Sequence, residues 1–114
     1  MEEKNYIPVV KRDEITKVFI DNIMLIEQEL NKTHIYTDEK EYCVYGKIHQ
    51  NLKYLDDRFF RCHQSYIINM EKVIKMREQT IFFENGFKIS IGRDKFVAAK
   101  QYFAVYIKQK APVH

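Results

Sequence analysis

Thr80–Ile91 constrains the fold of this chain more than any other segment. Thr80-Ile81-Phe82-Phe83-Glu84 and Phe87-Lys88-Ile89-Ser90-Ile91 flank the dipeptide Asn85-Gly86. β-Branched and aromatic residues on both sides of Asn-Gly predict a β-hairpin. Asn-Gly accepts a positive φ at both central positions, so a two-residue type I′ turn is expected. Lys88 and Ser90 alternate with Phe87, Ile89 and Ile91, so one face of the hairpin is expected to be wet.

Short extended segments fill most of the remaining chain. Ile15–Ile20 reads as a strand ended by Asp21-Asn22. Ile23-Met24-Leu25-Ile26-Glu27 is a buried apolar run whose length favours a strand, although periodicity alone does not separate strand from helix. Asn31-Lys32-Thr33 reads as a turn, His34–Thr37 as a strand, Asp38–Glu41 as a second turn, and Tyr42–Tyr45 as the returning strand. Phe59–Cys62 and Tyr66–Ile68 are extended candidates split by His63-Gln64-Ser65. Val73–Met76 is another, followed by the polar turn Arg77-Glu78-Gln79.

Two segments have a helical period. Ile48, Leu52 and Leu55 lie at i, i+4 and i+7 and predict a short helix. Asp56-Asp57 suits the following turn better than a helix C-terminus, where acids are unfavourable. Phe96, Ala99, Phe103 and Ile107 predict the apolar stripe of a C-terminal helix. The class is therefore mainly β, or α+β with segregated elements. A length of 114 residues suits one domain with a single core. Residues 1–14 read as a charged lead-in, 15–107 as the domain and 108–114 as a tail.

Charge is unevenly distributed. Residues 1–57 carry eight Lys and Arg against twelve Asp and Glu, a net of −4, whereas residues 58–114 carry eleven against four, a net of +7. Such a split fits either a polyanion-binding face or pairing between the two halves. No run approaches the ~18 apolar residues of a membrane span, and Met-Glu-Glu-Lys-Asn-Tyr is no signal peptide. Cys43 and Cys62 alone cannot staple a secreted mini-domain, so a cytoplasmic location with reduced thiols is expected.

Enzyme chemistry finds no support. P-loop, GxGxxG, HExxH and CxxC motifs are all absent. His34, His49, His63 and His114 lack metal-ligand spacing. Cys62 and His63 are adjacent and would point to opposite faces of a strand. No cofactor, metal or small-molecule substrate is expected.

Leu55-Asp56-Asp57-Arg58-Phe59-Phe60-Arg61-Cys62-His63-Gln64-Ser65-Tyr66-Ile67-Ile68-Asn69 points elsewhere. This string resembles the core motif of the LytTR DNA-binding domains, F-x-R-x-H-x-S-[YF]-[IV]-[VI]-N. Phe59, Arg61, His63, Ser65, Tyr66 and Asn69 fill it without a gap. Within the family, the string is most similar to the DNA-binding domains of AgrA-type response regulators, and weaker agreement runs from about Ile15 to Phe103. The resemblance implies an elongated, mostly antiparallel β fold with three small sheets and short helices. It also implies a sequence-specific, double-stranded DNA-binding transcription regulator whose loops enter successive major grooves. Imperfect direct repeats are the implied targets, with a homodimer formed on adjacent half-sites or through residues 1–14.

Carry-over of the family pattern nominates His34, in the first loop, Gln64 and Arg93 as base readers. Gln pairs bidentately with adenine and Arg with guanine. Lys32, Arg61, Ser65, Lys75, Arg77, Gln79 and Lys95 are the expected backbone contacts. There are departures from the pattern. Gly92-Arg93-Asp94 stands where the family has Ser and two basic residues, so Asp94 is expected to turn away as the helix N-cap. Gln64 replaces the usual Asn or basic residue, which implies a different target sequence. His63 is read as structural. Cys62 is read as a packing residue, with thiol oxidation as the alternative that the resemblance raises. Family regulators place a receiver domain before this one, and nothing of that size precedes residue 15; a stand-alone regulator and a piece of a larger one both fit. The rival function is an interaction module that binds no DNA and pairs with or antagonises a full-length regulator. Asp94 and the acidic first half favour that rival.

Overall fold

The computed structural model describes residues 5–112. Residues 1–4 of the lead-in and 113–114 of the tail lie outside the described residues. The strands are β1 (Tyr6–Val10), β2 (Ile15–Phe19), β3 (Ile23–Glu29), β4 (Lys32–Thr37), β5 (Glu41–Tyr45), β6 (Phe59–His63), β7 (Tyr66–Asn69), β8 (Val73–Arg77), β9 (Thr80–Phe83) and β10 (Lys88–Ser90). Among the described residues one α-helix, α1 (Arg93–Lys110), follows the strands. Three antiparallel sheets result: the hairpin β1-β2, the five-stranded β5-β4-β3-β7-β6 and the three-stranded β10-β9-β8. The molecule measures 46 × 38 × 25 Å.

The five-stranded sheet is the middle layer. Successive side chains of a strand point to opposite faces. Leu25 and Ile68 enter one core, whereas their neighbours Ile26 and Ile67 enter the other. That explains the unbroken apolar run at Ile23–Ile26: a strand covered on both faces has no wet side to encode. On one face lie Ile7, Val9, Val18 and Ile20 of the β1-β2 hairpin region, together with Ile48. On the other lie Ile81 and Phe83 of the three-stranded sheet and Phe96, Ala99, Phe103 and Tyr106 of α1. Each fully buried Val, Ile or Phe side chain among them contributes about 1.5–3 kcal/mol. Asn69 is a buried polar member of this layer, alongside Thr33 and Thr37 of β4. Its Nδ2 donates to the Ile23 carbonyl at 2.7 Å, and its Oδ1 accepts from the Glu71 amide at 2.9 Å.

Five local features of the frame, apart from those at the site, differ from the sequence reading. Tyr6–Val10, within the expected lead-in, is a strand that buries Ile7 and Val9, and its Pro8 is tolerable because β1 pairs on one side only. The segment around Ile48 is a 3₁₀ helix, Ile48–Tyr54, not an α-helix. With three residues per turn, Ile48, Asn51 and Tyr54 share the inner side, and Leu52 is left 37% exposed. On α1 the fourth buried position is Tyr106, with Ile107 on the outside. Helix α1 itself runs to Lys110, into the expected tail.

The fifth difference concerns the hairpins. Phe83 donates to the Phe87 carbonyl at 2.8 Å, so the loop is the three-residue Glu84–Gly86. Only Gly86 takes a positive φ, 91°, while the Asn85 side chain accepts from the Phe87 amide at 3.1 Å. This is the three-residue loop with glycine in the bulge position, not the expected type I′ turn. Type I′ geometry occurs one hairpin earlier, at Glu78 and Gln79, with φ of 53° and 58°.

Candidate nucleic-acid interface

Two groups of loops carry most of the residues nominated from sequence. The first lies at one end of the five-stranded sheet. There β6 and β7 are joined by Gln64-Ser65, with His63 opposite Tyr66. Three bonds fix this turn. Arg61 Nη2 donates to the Gln64 carbonyl at 3.0 Å, the Ser65 amide donates to His63 Nδ1 at 3.1 Å, and the Gln28 amide donates to the Ser65 carbonyl at 2.8 Å. Nδ1 of His63 thus serves as the acceptor that holds the Ser65 amide in the turn. Gln64 is exposed, and its side chain makes no hydrogen bond among the described residues. Behind the turn, Tyr36 donates to Glu27 Oε1 at 3.1 Å. A hydrogen bond to the same carboxylate, with burial, raises the Tyr66 phenol above its ordinary value.

The β3-β4 turn lies at the same end. It is closed by Leu30 and Asn31 between the paired Glu29 and Lys32. Lys32 is exposed at the start of β4, its ammonium 5.7 Å from the Tyr45 ring centre. His34 does not lie on a loop. It sits in mid-strand on β4, opposite Glu27 and Cys43, because the turn closes before Lys32. Its Nδ1 lies 2.8 Å from Glu41 Oε2, its Nε2 is buried without a partner, and only 16% of the side chain is exposed. Polar Asn31-Lys32-Thr33 suggested a loop, but Thr33 is a buried strand residue whose hydroxyl donates to the Gly46 carbonyl at 2.9 Å.

The second group surrounds the start of α1. Arg77 and Thr80 pair across the two-residue turn Glu78-Gln79. Gln79 does not reach outward: its Nε2 donates to the Ile91 carbonyl at 3.2 Å, and its own carbonyl accepts from the Ile91 amide at 3.0 Å. That pair of bonds anchors the chain just before Gly92 and Arg93. Lys75, exposed on β8, lies 4.6 Å over the Phe82 ring, covering apolar surface while its charge meets water.

Gly92, not Asp94, is the N-cap, and it offers no side chain. Arg93 opens the helix, exposed. Asp94 occupies the first turn, where a carboxylate is favoured by the helix dipole. Lys95 is half-buried, and its charge reaches Cys62 on β6. Burial outweighs that influence and pushes the Cys62 thiol up to about 11. No cluster of three or more His, Cys, Asp or Glu suited to a metal occurs among the described residues. No helix among them is long and apolar enough to cross a membrane.

The structure therefore brings Arg61, Gln64 and Ser65 together with the Leu30-Asn31 turn, and Arg77 and Gln79 together with Arg93. It separates His34 from both loop tips. Gln28 escaped the sequence reading, since a lone glutamine near the end of an apolar strand carries no local signal.

The comparisons with known proteins agree with this fold. The accessory gene regulator protein A of Staphylococcus epidermidis is 37% identical over 71 residues, covering 58% of this chain and 29% of that protein. Its Staphylococcus aureus counterpart is 36% identical over 70 residues, covering 57% and 29%. The chain thus matches under a third of the length of these relatives. A solved LytTr DNA-binding domain from Bacillus cereus superimposes with a TM-score of 0.70 at 18% identity, over 90% of this chain and 98% of that one. The family model of the LytTr DNA-binding domain matches residues 13–104. With most of the chain covered by that model, and the motif strand pair β6-β7 built as its residues required, the chain belongs to the LytTr DNA-binding domain family.

Proposed function

We propose that this chain recognises double-stranded DNA sequence-specifically, as the DNA-reading part of a cytoplasmic transcription regulator. Loop tips and the exposed first residue of α1, rather than a helix laid along the groove, enter successive major grooves. Gln64 and Arg93 read base edges, and Arg61, Ser65, Lys75, Arg77, Lys95 and Lys32 contact the backbone. Imperfect direct repeats, each bound by one copy of a homodimer, suit loops held at fixed spacing. One observation carries this reading: Gln64 is exposed and internally unbonded at the tip of a turn pinned by three hydrogen bonds. A free amide on a rigid mount presents donor and acceptor together, as bidentate adenine readout requires. Gln79 is assigned to holding the turn before α1, since its amide is already bonded to Ile91. His34 is assigned at most a supporting role, since Glu41 holds it within the sheet.

Gel shifts on promoter fragments holding direct repeats, at several salt concentrations, test the reading. Gln64→Ala and Arg93→Ala are expected to lose about 1–3 kcal/mol of discrimination each, with little loss of binding to random duplex. Equal losses on all sequences would overturn the base-reading roles.

The interaction-module reading has its own support. Val10, Ile15 and Tyr45 are exposed by 68%, 78% and 81%, and Val10 and Tyr45 line a cavity of about 580 Å³ with Lys11, Arg12 and Cys43. No shift of any duplex at low salt would favour it.

A further inference from the structure

We infer that Gln28 is a positioning residue that sets the spacing of the DNA-facing loops at its end of the five-stranded sheet, an inference that rests on the proposed reading of the chain. Gln28 lies on β3, two residues before the Leu30-Asn31 turn. Three of its polar groups are bonded, each to a different segment. Its side-chain Nε2 donates to the Leu30 carbonyl at 3.1 Å. Its Oε1 accepts from the Ile48 amide at 2.9 Å. Its backbone amide donates to the Ser65 carbonyl at 2.8 Å.

Each of these bonds meets a local need. Leu30 holds φ at 55°, a left-handed conformation unfavourable for a residue with a Cβ, and is 85% exposed, so little packing retains it. The bond to its carbonyl does. The Ile48 amide begins the 3₁₀ helix, where amides lack partners within the helix. Lys47, the cap residue, supplies no side-chain acceptor, and Gln28 supplies it from another strand. The Ser65 carbonyl belongs to the turn that carries Gln64. Two further bonds tie the loops to one another: the Gly46 amide donates to the Asn31 carbonyl at 2.6 Å, and the Thr33 hydroxyl to the Gly46 carbonyl at 2.9 Å. Gln28 is thus the common member of a network that fixes the β3-β4 turn, the β5 exit and the Gln64 turn as one unit. Loops that meet one stretch of DNA together from this end of the sheet need such fixed spacing, and loops joined only through separate strand ends would lack it.

The substitutions Gln28→Ala and Gln28→Glu separate the arms of this network. Alanine removes both side-chain bonds. Glutamate keeps an acceptor for Ile48 but sets a carboxylate against the Leu30 carbonyl. Binding is measured to a duplex selected by the wild-type chain from a randomised double-stranded pool, and to a scrambled duplex. Gln28→Ala is expected to lower affinity for the selected duplex about tenfold, the scale of one base-reading contact. Affinity for the scrambled duplex and the salt dependence are expected to stay unchanged, and Gln28→Glu to fall between. Wild-type discrimination in a folded Gln28→Ala variant would overturn the inference. Amide NMR of the free chain gives a second readout that needs no DNA. Gln28→Ala is expected to perturb Asn31, Ile48 and Gln64 together, and changes confined to the immediate neighbours of residue 28 would overturn the coupling. If the wild-type chain selects no sequence, the regulator reading fails while the NMR result still decides whether Gln28 couples the loops.

Discussion

Cys62 illustrates how little a motif residue's identity says about its chemistry. It sits where the β6-β7 register shifts, and its Sγ lies 4.0 Å from the Tyr66 carbonyl. Burial raises its thiol to about 11 despite Lys95 nearby. An unfolded cysteine titrates near ~8.5, so folding favours the neutral thiol. Its stabilising contribution is complete below the unfolded value and is lost as pH rises toward the folded one. Native Cys62 is therefore expected to react with iodoacetamide far more slowly at neutral pH than in urea, followed by peptide mass spectrometry, and to quicken as pH climbs through the alkaline range. Native labelling at the unfolded rate at neutral pH would contradict this. His63 and Asn69 belong to the same motif, yet both have bonds inside the protein. The string announced the family through residues that build the turn as much as through Gln64, which occupies a variable position within it.

Among the elements, the β8-β9 turn carries the plainest conformational cost. Glu78 and Gln79 both hold left-handed φ, a region where Asn and Gly are at home and other side chains are disfavoured by about 1–2 kcal/mol. Glu78→Asn is expected to stabilise the domain by about 0.5–1 kcal/mol; urea unfolding monitored by circular dichroism checks it, and an unchanged or lower midpoint would count against it. Gln79 has a reason to stay, since its side chain reaches the Ile91 carbonyl and so locates the start of α1. Sequence pointed to Asn85-Gly86 as the type I′ turn and marked Arg77-Glu78-Gln79 only as a polar turn, because turn propensity is local whereas register is set by the sheet. α1 was legible from its apolar period, but its last inward residue was not. Tyr106 wins over Ile107 because its hydroxyl donates to Glu71 Oε2 at 2.6 Å while its ring remains in the core.

At the scale of the molecule, the charge split resolves into two populations. Arg58 pairs with Asp21 and Asp56, Lys72 with Asp38 and Glu84, and Lys110 with Asp57. Most of these partners lie in the acidic half, so part of the basic excess is spent within the fold. Arg61, Lys75, Arg77, Arg93 and Lys95 form no salt bridge among the described residues. These are the basic groups at the β6-β7 turn, on β8 and at the start of α1. If Lys32, Arg61, Lys75, Arg77 and Lys95 meet phosphates, the logarithm of the binding constant is expected to fall against the logarithm of salt concentration with a slope of about −4 to −5. Fluorescence anisotropy on a random duplex measures it, and a slope near −1 would sink the assignment of this set.

The sequence by itself determined the family, the mainly β class, most strands and the apolar stripe of α1, because these depend on residue type and short-range period. The buried run Ile23–Ile26 could be read as a strand only by its length, since burial on both faces erases alternation. Only the tertiary structure decided that Tyr6–Val10 is part of the fold, that His34 lies within the sheet, and that Gly92 caps α1. It alone distinguished paired basic residues from free ones, and it alone joined Leu30, Ile48 and Ser65 through Gln28. Those outcomes depend on contacts between residues distant along the chain, and no local pattern encodes which strand end will meet which loop.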